Sequence, residues 1–416
     1  MSGACRRFHA DVIDASFFGT DLTQAKPRST CGIQWLVCDE DSDRDEKNTR
    51  QMKETIVFKP IAIFSAVVLA LAASGANVHA QRHGLTLVVT MTNDLASNEI
   101  KVYEAATKTL LQTLPTDGTG GVGGNARGVN QYKGALFAAV NNGSNTVAVF
   151  RRAGDSLRFE KLVATTSPPV SIDFGNNHMY VAGATTVDSF VIHGLDVEWM
   201  DGTTDLVLAG GGAPPNGSAA QVGVISQEQL LVTLKADPDP GTVDVVTLHD
   251  GAITAAVPTA VSAPAGTLTP FGFSVYADGT AVITLAHSSQ YGLFRDGQFT
   301  SVTAAGQDAP CWSTRVGKYV FTGNTGSHTI SRLVGTGNNI FVDGVVAGNI
   351  TGGAPSDIDA NDGFLGVIDH GAGQSHLSLF TYNELGELTA SGAPIVLGVP
   401  NANGVAVMSP ADFDQE

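Results

Sequence analysis

The chain has 416 residues, a formal charge of −17, 48 glycines and 7% aromatic residues. The acidic excess lies in residues 81–416, with 14 Lys and Arg against 30 Asp and Glu. That balance argues against nucleic acid, whose phosphates it would repel, and leaves a solvated acidic surface or a neutral or cationic ligand. Only Cys311 of the four cysteines falls in this region, so no disulfide framework can hold it. Flanked by Pro310 and Trp312, Cys311 reads as a buried structural thiol, since nothing adjacent would lower its pKa.

In chain order, residues 1–51 come first, with mixed charge, no periodicity and the charge run Asp39–Glu46. Residues 52–80 then carry two lysines, the apolar run Ile61–Ala73 and a small-residue end at Val78 and Ala80. This is the n-region, h-region and cleavage end of a signal peptide. The apolar run is short of the about 20 residues a membrane span needs. Met52 is therefore expected to be the true start, with 1–51 a gene-model extension. A cytosolic tail before a signal anchor is the alternative. Cleavage after Ala80 implies a secreted or periplasmic product with no stable membrane span.

From residue 85 one phrase recurs seven times: an apolar strand, a polar turn, then a β-branched or aromatic strand. Leu136–Phe150 and Tyr319–Leu333 are the clearest copies. The third strand residue of each copy serves as an anchor: Val89, Ala138, Val181, Val232, Ile283, Phe321 and Gly366, spaced 38 to 51 residues apart. Repeats of this length built from short strands are propeller blades. The predicted fold is all-β, a seven-bladed β-propeller over 81–416. Each blade also has an opening strand, three of which begin with Pro169, Pro270 or Pro355, as suits a position needing no ladder donor. The first anchor lacks an opening and the last opening, at Asn403, lacks an anchor. The ring is thus expected to close by pairing the C-terminal strand 404–408 with the blade begun by 85–102, which removes a free sheet edge.

The phrases Asn141–Phe150, Pro169–Asp173, Pro270–Phe273, His287–Tyr291, Cys311–Trp312 and Asn324–Ser331 together resemble the seven-bladed lactonase-type propellers. That group comprises 6-phosphogluconolactonase-like and 3-carboxymuconate cyclase-like proteins. The resemblance covers nearly all the repeat region and implies lactone hydrolysis or formation, with ligands at the face where inner strands begin and second-to-third strand loops turn. Fourteen positions are expected there. Arg127, Asn130, Pro169, Phe271, Trp312, Asp357 and Asn403 start the inner strands. Asn93, Asn142, Thr185, Ala236, His287, Thr325 and His370 lie four residues past each anchor.

A lactonase needs a water-activating base and an oxyanion partner. His287 or His370 could be the base, with Asp357 orienting or replacing it, and Arg127 could hold the oxyanion or a carboxylate. Asn142, Phe271, Trp312 and Asn403 would line the substrate pocket. Plainer roles stand beside these: a hydrogen-bonded turn for either histidine, an inter-blade salt bridge for Arg127, core packing for Trp312. Asp173 and Asp359 read as turn caps. No cofactor is expected, and no run of metal-ligand spacing appears, although Asn and Asp oxygens around a channel could hold a divalent ion. The partner is a small-molecule ligand or substrate. The competing reading is a non-enzymatic binding or scaffold propeller.

Overall fold

The computed structural model describes residues 84–236, 239–336 and 339–410. The leader-like 52–80 and the extension 1–51 lie outside the described residues. Seven antiparallel sheets of four or five strands follow one another along the chain. Their innermost strands are Val129–Tyr132, Pro169–Gly175, Ala219–Val224, Pro270–Val275, Pro310–Val316, Ala354–Asn361 and, for the first blade, Asn403–Met408. Each innermost strand contacts the innermost strands of both neighbouring blades, which closes a ring. The chain is therefore the expected seven-bladed propeller. Among the described residues the only helical pieces are two 3-10 turns, Asn142–Ser144 and Ala286–Ser288, and no helix is long and apolar enough to cross a membrane.

All seven anchors sit on the strand next to the innermost one, and each faces an innermost residue: Ala406, Asn130, Ile172, Val222, Phe273, Thr314 and Asp359. These second strands are almost wholly buried, Leu87–Met91 and Leu136–Asn141 among them. Buried on both faces, they read as continuous apolar runs rather than an alternation. Pro169 and Pro270 begin their strands as expected. Blade six begins one residue earlier than its Cys311–Trp312 phrase indicated, at Pro310, so it too opens on proline.

The closing strand pairs Leu87 with Met408 and Val89 with Ala406. Arg152 of blade two clasps both ends of this closed blade. Its guanidinium donates to the carbonyls of Gly154 (2.8 Å), Ser409 (2.7 Å) and Leu85, and its side chain is 1% exposed. The Leu85 N–H in turn donates to Asp155 at 2.7 Å.

Neighbouring blades are tied near the axis by side chains of the innermost strands. Asn130 donates to the carbonyl of Ile172, Gln221 exchanges two hydrogen bonds with the Phe273 backbone, and Ser274 meets Ser313 at 3.0 Å. Asp173 and Asp359, expected as turn caps, do this instead. Asp173 accepts the Val224 N–H and Asp359 the Val407 N–H, each at 2.8 Å and each from the following blade. Backbone amides at the edge of an inner strand have no ladder partner toward the axis, and a carboxylate from the next blade satisfies them.

Candidate functional site

The segment 118–128 runs from blade one to blade two across the face where the innermost strands begin. Its glycines let it lie close to its neighbours. A Cβ on Gly120 would stand 2.3 Å from the Asn93 backbone carbon, and Gly121 takes a φ of +103°, a conformation open to glycine at no steric cost. Asn93 holds this strap from one side: its Oδ1 accepts the Gly121 and Val122 N–H groups at 2.7 and 3.0 Å, and its Nδ2 donates to the Val122 carbonyl. Lys235 holds it from blade four by donating to the carbonyls of Gly123 and Gly124.

Asn125, at the end of the strap, gathers three blades. Its Nδ2 donates to the Val170 carbonyl at 2.7 Å, its Oδ1 accepts from Asn403 Nδ2 at 2.9 Å, and its backbone carbonyl accepts the Trp312 indole N–H at 2.7 Å. Trp312 in turn meets Phe271 edge to face, with ring centroids 5.4 Å apart, and both pack with Ala126, Ala220 and Ala286. Three of the four expected pocket residues, Phe271, Trp312 and Asn403, thus come together, and they do so as a buried network that bridges innermost strands of different blades. Asn142 is elsewhere: its Nδ2 donates to the Pro169 carbonyl of the next blade at 3.0 Å, and Thr325 makes the same tie to Pro355 at 3.2 Å. These two loop residues reach to the start of the following blade's innermost strand.

Near the end of the strap, two residues before the innermost strand, Arg127 adopts a φ of +55° and its guanidinium bonds Asp173 Oδ1 at 3.1 Å, beside Asn130 on the same oxygen at 3.0 Å. Its charge also reaches Asp357 and Asp359. Asp357 is 2% exposed, its Oδ1 accepts the Ile358 N–H at 2.9 Å, and its Oδ2 is buried with no hydrogen-bond partner. Burial pushes this carboxyl up to about 7. The Ile358 N–H pulls against the rise, the Asp359 charge adds to it, and the charge and backbone N–H of Arg127 oppose it. Asp359 is raised for the same first reason, burial. The Arg127 side chain thus pairs with Asp173 while its charge acts on Asp357 and Asp359.

The two expected histidines bond hydroxyl side chains. His287 is exposed in the turn Ala286–Ser288, with Nδ1 2.8 Å from Thr269 Oγ1 in its own blade. His370 is half-buried in blade seven, Nδ1 2.9 Å from Ser375 Oγ, and burial lowers its pKa. No group of three or more His, Cys, Asp or Glu side chains among the described residues is arranged to hold a metal ion. Burial raises the Cys311 thiol to about 11, in keeping with a structural role.

Asn125, Lys235, Asp173 and Asp359 were not singled out as site residues by sequence. The Asp-Ile-Asp runs 357–359 and, with Ser in place of the first Asp, 171–173 were the available signal: carboxylates inside strands that are otherwise apolar.

No protein-family model matches the chain, and no curated protein does. Solved structures do. A provisional 6-phosphogluconolactonase of Bacteroides fragilis covers 78% of this chain and 98% of its own, at 13% identity and a TM-score of 0.56. One from Bacteroides uniformis covers 78% and 99%, at 15% and 0.57. The periplasmic gluconolactonase PpgL of Pseudomonas aeruginosa covers 78% and 99%, at 16% and 0.56. The chain shares the fold of these lactonase-type propellers, as its sequence phrases implied, and identities this low speak to fold alone.

Proposed function

We propose that this propeller is a lactonase-like protein that opens a small lactone at Arg127 and Asp357, in the periplasm or outside the cell. The observation carrying this reading is the buried Asp357 carboxyl, with Oδ2 lacking a hydrogen-bond partner and its pKa near 7, within reach of the Arg127 charge. A carboxylate with that pKa is a competent general base at neutral pH. Ionised Asp357 takes a proton from water as its oxygen bonds the lactone carbonyl carbon. Arg127 faces the resulting oxyanion. The acyl–oxygen bond then breaks, and the proton passes from Asp357 to the leaving alkoxide, giving the hydroxy acid. His287 and His370 have no part in this step. The leader-like segment 52–80 supports export, and PpgL, a structural relative, is itself described as periplasmic.

The test is a panel of lactones assayed with the wild type, Asp357→Asn and Arg127→Ala. Turnover that falls about a hundredfold or more in Asp357→Asn carries the reading. Turnover indifferent to both substitutions refutes the site.

A second reading is a binding propeller without catalysis, favoured by one observation. Asn125, Trp312 and Asn403 bridge innermost strands on the face where a substrate is expected to enter. It predicts no turnover across the panel, together with a ligand-induced rise in melting temperature.

A further inference from the structure

Lys235 follows the second strand of blade four and meets the strap of residues 118–128. Its ammonium donates to the Gly123 carbonyl at 3.1 Å and to that of Gly124. An ammonium has three donors, so two carbonyls do not exhaust it. Among the described residues no carboxylate charge acts on it, and burial lowers its pKa to about 8. In a chain carrying −17 overall, a half-buried cation with no carboxylate partner among the described residues is a local exception, and a desolvated charge is costly unless paired.

This lysine faces a cavity of about 370 Å³ lined also by Val122, Asn142, Val170, Ala184 and Asn216. That volume is within the range of small-molecule sites and holds about a dozen heavy atoms at the ~30 Å³ a water takes in the liquid. Its walls are apolar side chains, glycine backbone and two amides. None of them belongs to the Arg127–Asp357 pair. An anion would supply the missing counter-charge through a charge-assisted hydrogen bond, and the amide of Asn216, on an exposed turn, offers a neutral contact.

We propose that this cavity between blades two, three and four is a binding site for a small hydroxy carboxylate, held by Lys235 through its carboxylate group. The strap is then part of the site, since the same ammonium that receives the anion holds Gly123 and Gly124 in place.

The full-length chain titrated calorimetrically with sodium gluconate and sodium acetate tests this. Gluconate is expected to bind at pH 7, to weaken at least about tenfold in Lys235→Gln, and to weaken as pH rises through about 8, where the ammonium loses its proton. Because Lys235→Gln also loosens the strap, Ala184→Leu provides a second variant that leaves the lysine intact and fills the cavity. It is expected to lower gluconate affinity by a similar factor and acetate affinity by less. Absence of binding by the wild type overturns the proposal. So does gluconate affinity unchanged in both variants, and so does binding weakened by Arg127→Ala and not by Lys235→Gln, which would assign the anion to the other cation.

Discussion

The indole N–H of Trp312 donates to the backbone carbonyl of Asn125, 187 residues away in sequence, at 2.7 Å. This bond joins the innermost strand of blade six to the strap that enters blade two. It makes Trp312 a bridge within the ring as well as a core side chain. Trp312→Phe keeps the ring contact with Phe271 and leaves the Asn125 carbonyl buried without its donor. A loss of about 1–2 kcal/mol in unfolding free energy is expected, with faster amide exchange confined to residues 121–128. Urea unfolding and hydrogen exchange measure both. A variant as stable and as protected as the wild type would show that the bond does not hold the strap.

Gly128 has no room for a side chain. A Cβ there would lie 2.6 Å from Asn403 Oδ1, 2.8 Å from Asn125 Nδ2 and 2.9 Å from Met91 Cε. Gly128→Ala is expected to break the Asn125–Asn403 contact and to lower the melting temperature more than Trp312→Phe does. Equal or higher melting of Gly128→Ala would contradict the network described around Asn125.

Arg152 is the clasp of the closed ring, donating to the Leu85 and Ser409 carbonyls from opposite ends of the propeller. Arg152→Ala strips a buried cation and leaves those carbonyls unpaired, an expected cost of about 2–4 kcal/mol. Exchange should rise first in Leu87–Met91 and Asn403–Met408. Deleting residues 400–416 removes the innermost strand of blade one altogether and should be worse. A truncated chain with unchanged thermal unfolding would contradict closure by that strand.

Asp244 and Asp357 both have folded-state pKa values raised to about 7, burial being the first cause in each. The unfolded value is about 4, so the folded state holds the extra protons between these limits. Stability from these groups is full below about pH 4 and is lost as pH rises through about 7. Asp244 accepts the Val207 N–H on Oδ2, and its Oδ1 is buried without a partner. Asp244→Asn keeps that shape without the charge. Relative to the variant, the wild type should lose up to about 1.4 kcal/mol per pH unit across this window. Urea titrations at pH 5 and pH 8 give the difference directly, and a pH-independent difference would refute a raised Asp244 pKa.

For lactone turnover the sign is opposite. Asp357 acts as a base only when ionised, so kcat/KM should rise with pH to a plateau above about 7. Residual turnover in Asp357→Asn should lack this rise. A wild-type profile flat from pH 5 to 8 would remove Asp357 from the proposed role.

The seven-phrase repeat determined the blade count, the place of every anchor on a second strand, and the ring closure. These follow from local patterning, because apolar runs, turn residues and their spacing act within tens of residues. The repeat also named Arg127, Asp357, Trp312 and Asn403 as inner-strand residues. It could not say which of them meet. Arg127 finds Asp173, and Asn125 finds Trp312 and Asn403, because ring closure sets the start of every innermost strand around one axis. Contacts there join residues far apart in sequence, and no repeat-level index carries their direction. For the same reason Asn142 and Thr325 bond the next blade, Asp173 and Asp359 tie strands instead of capping turns, and Lys235 faces a cavity lined by three blades.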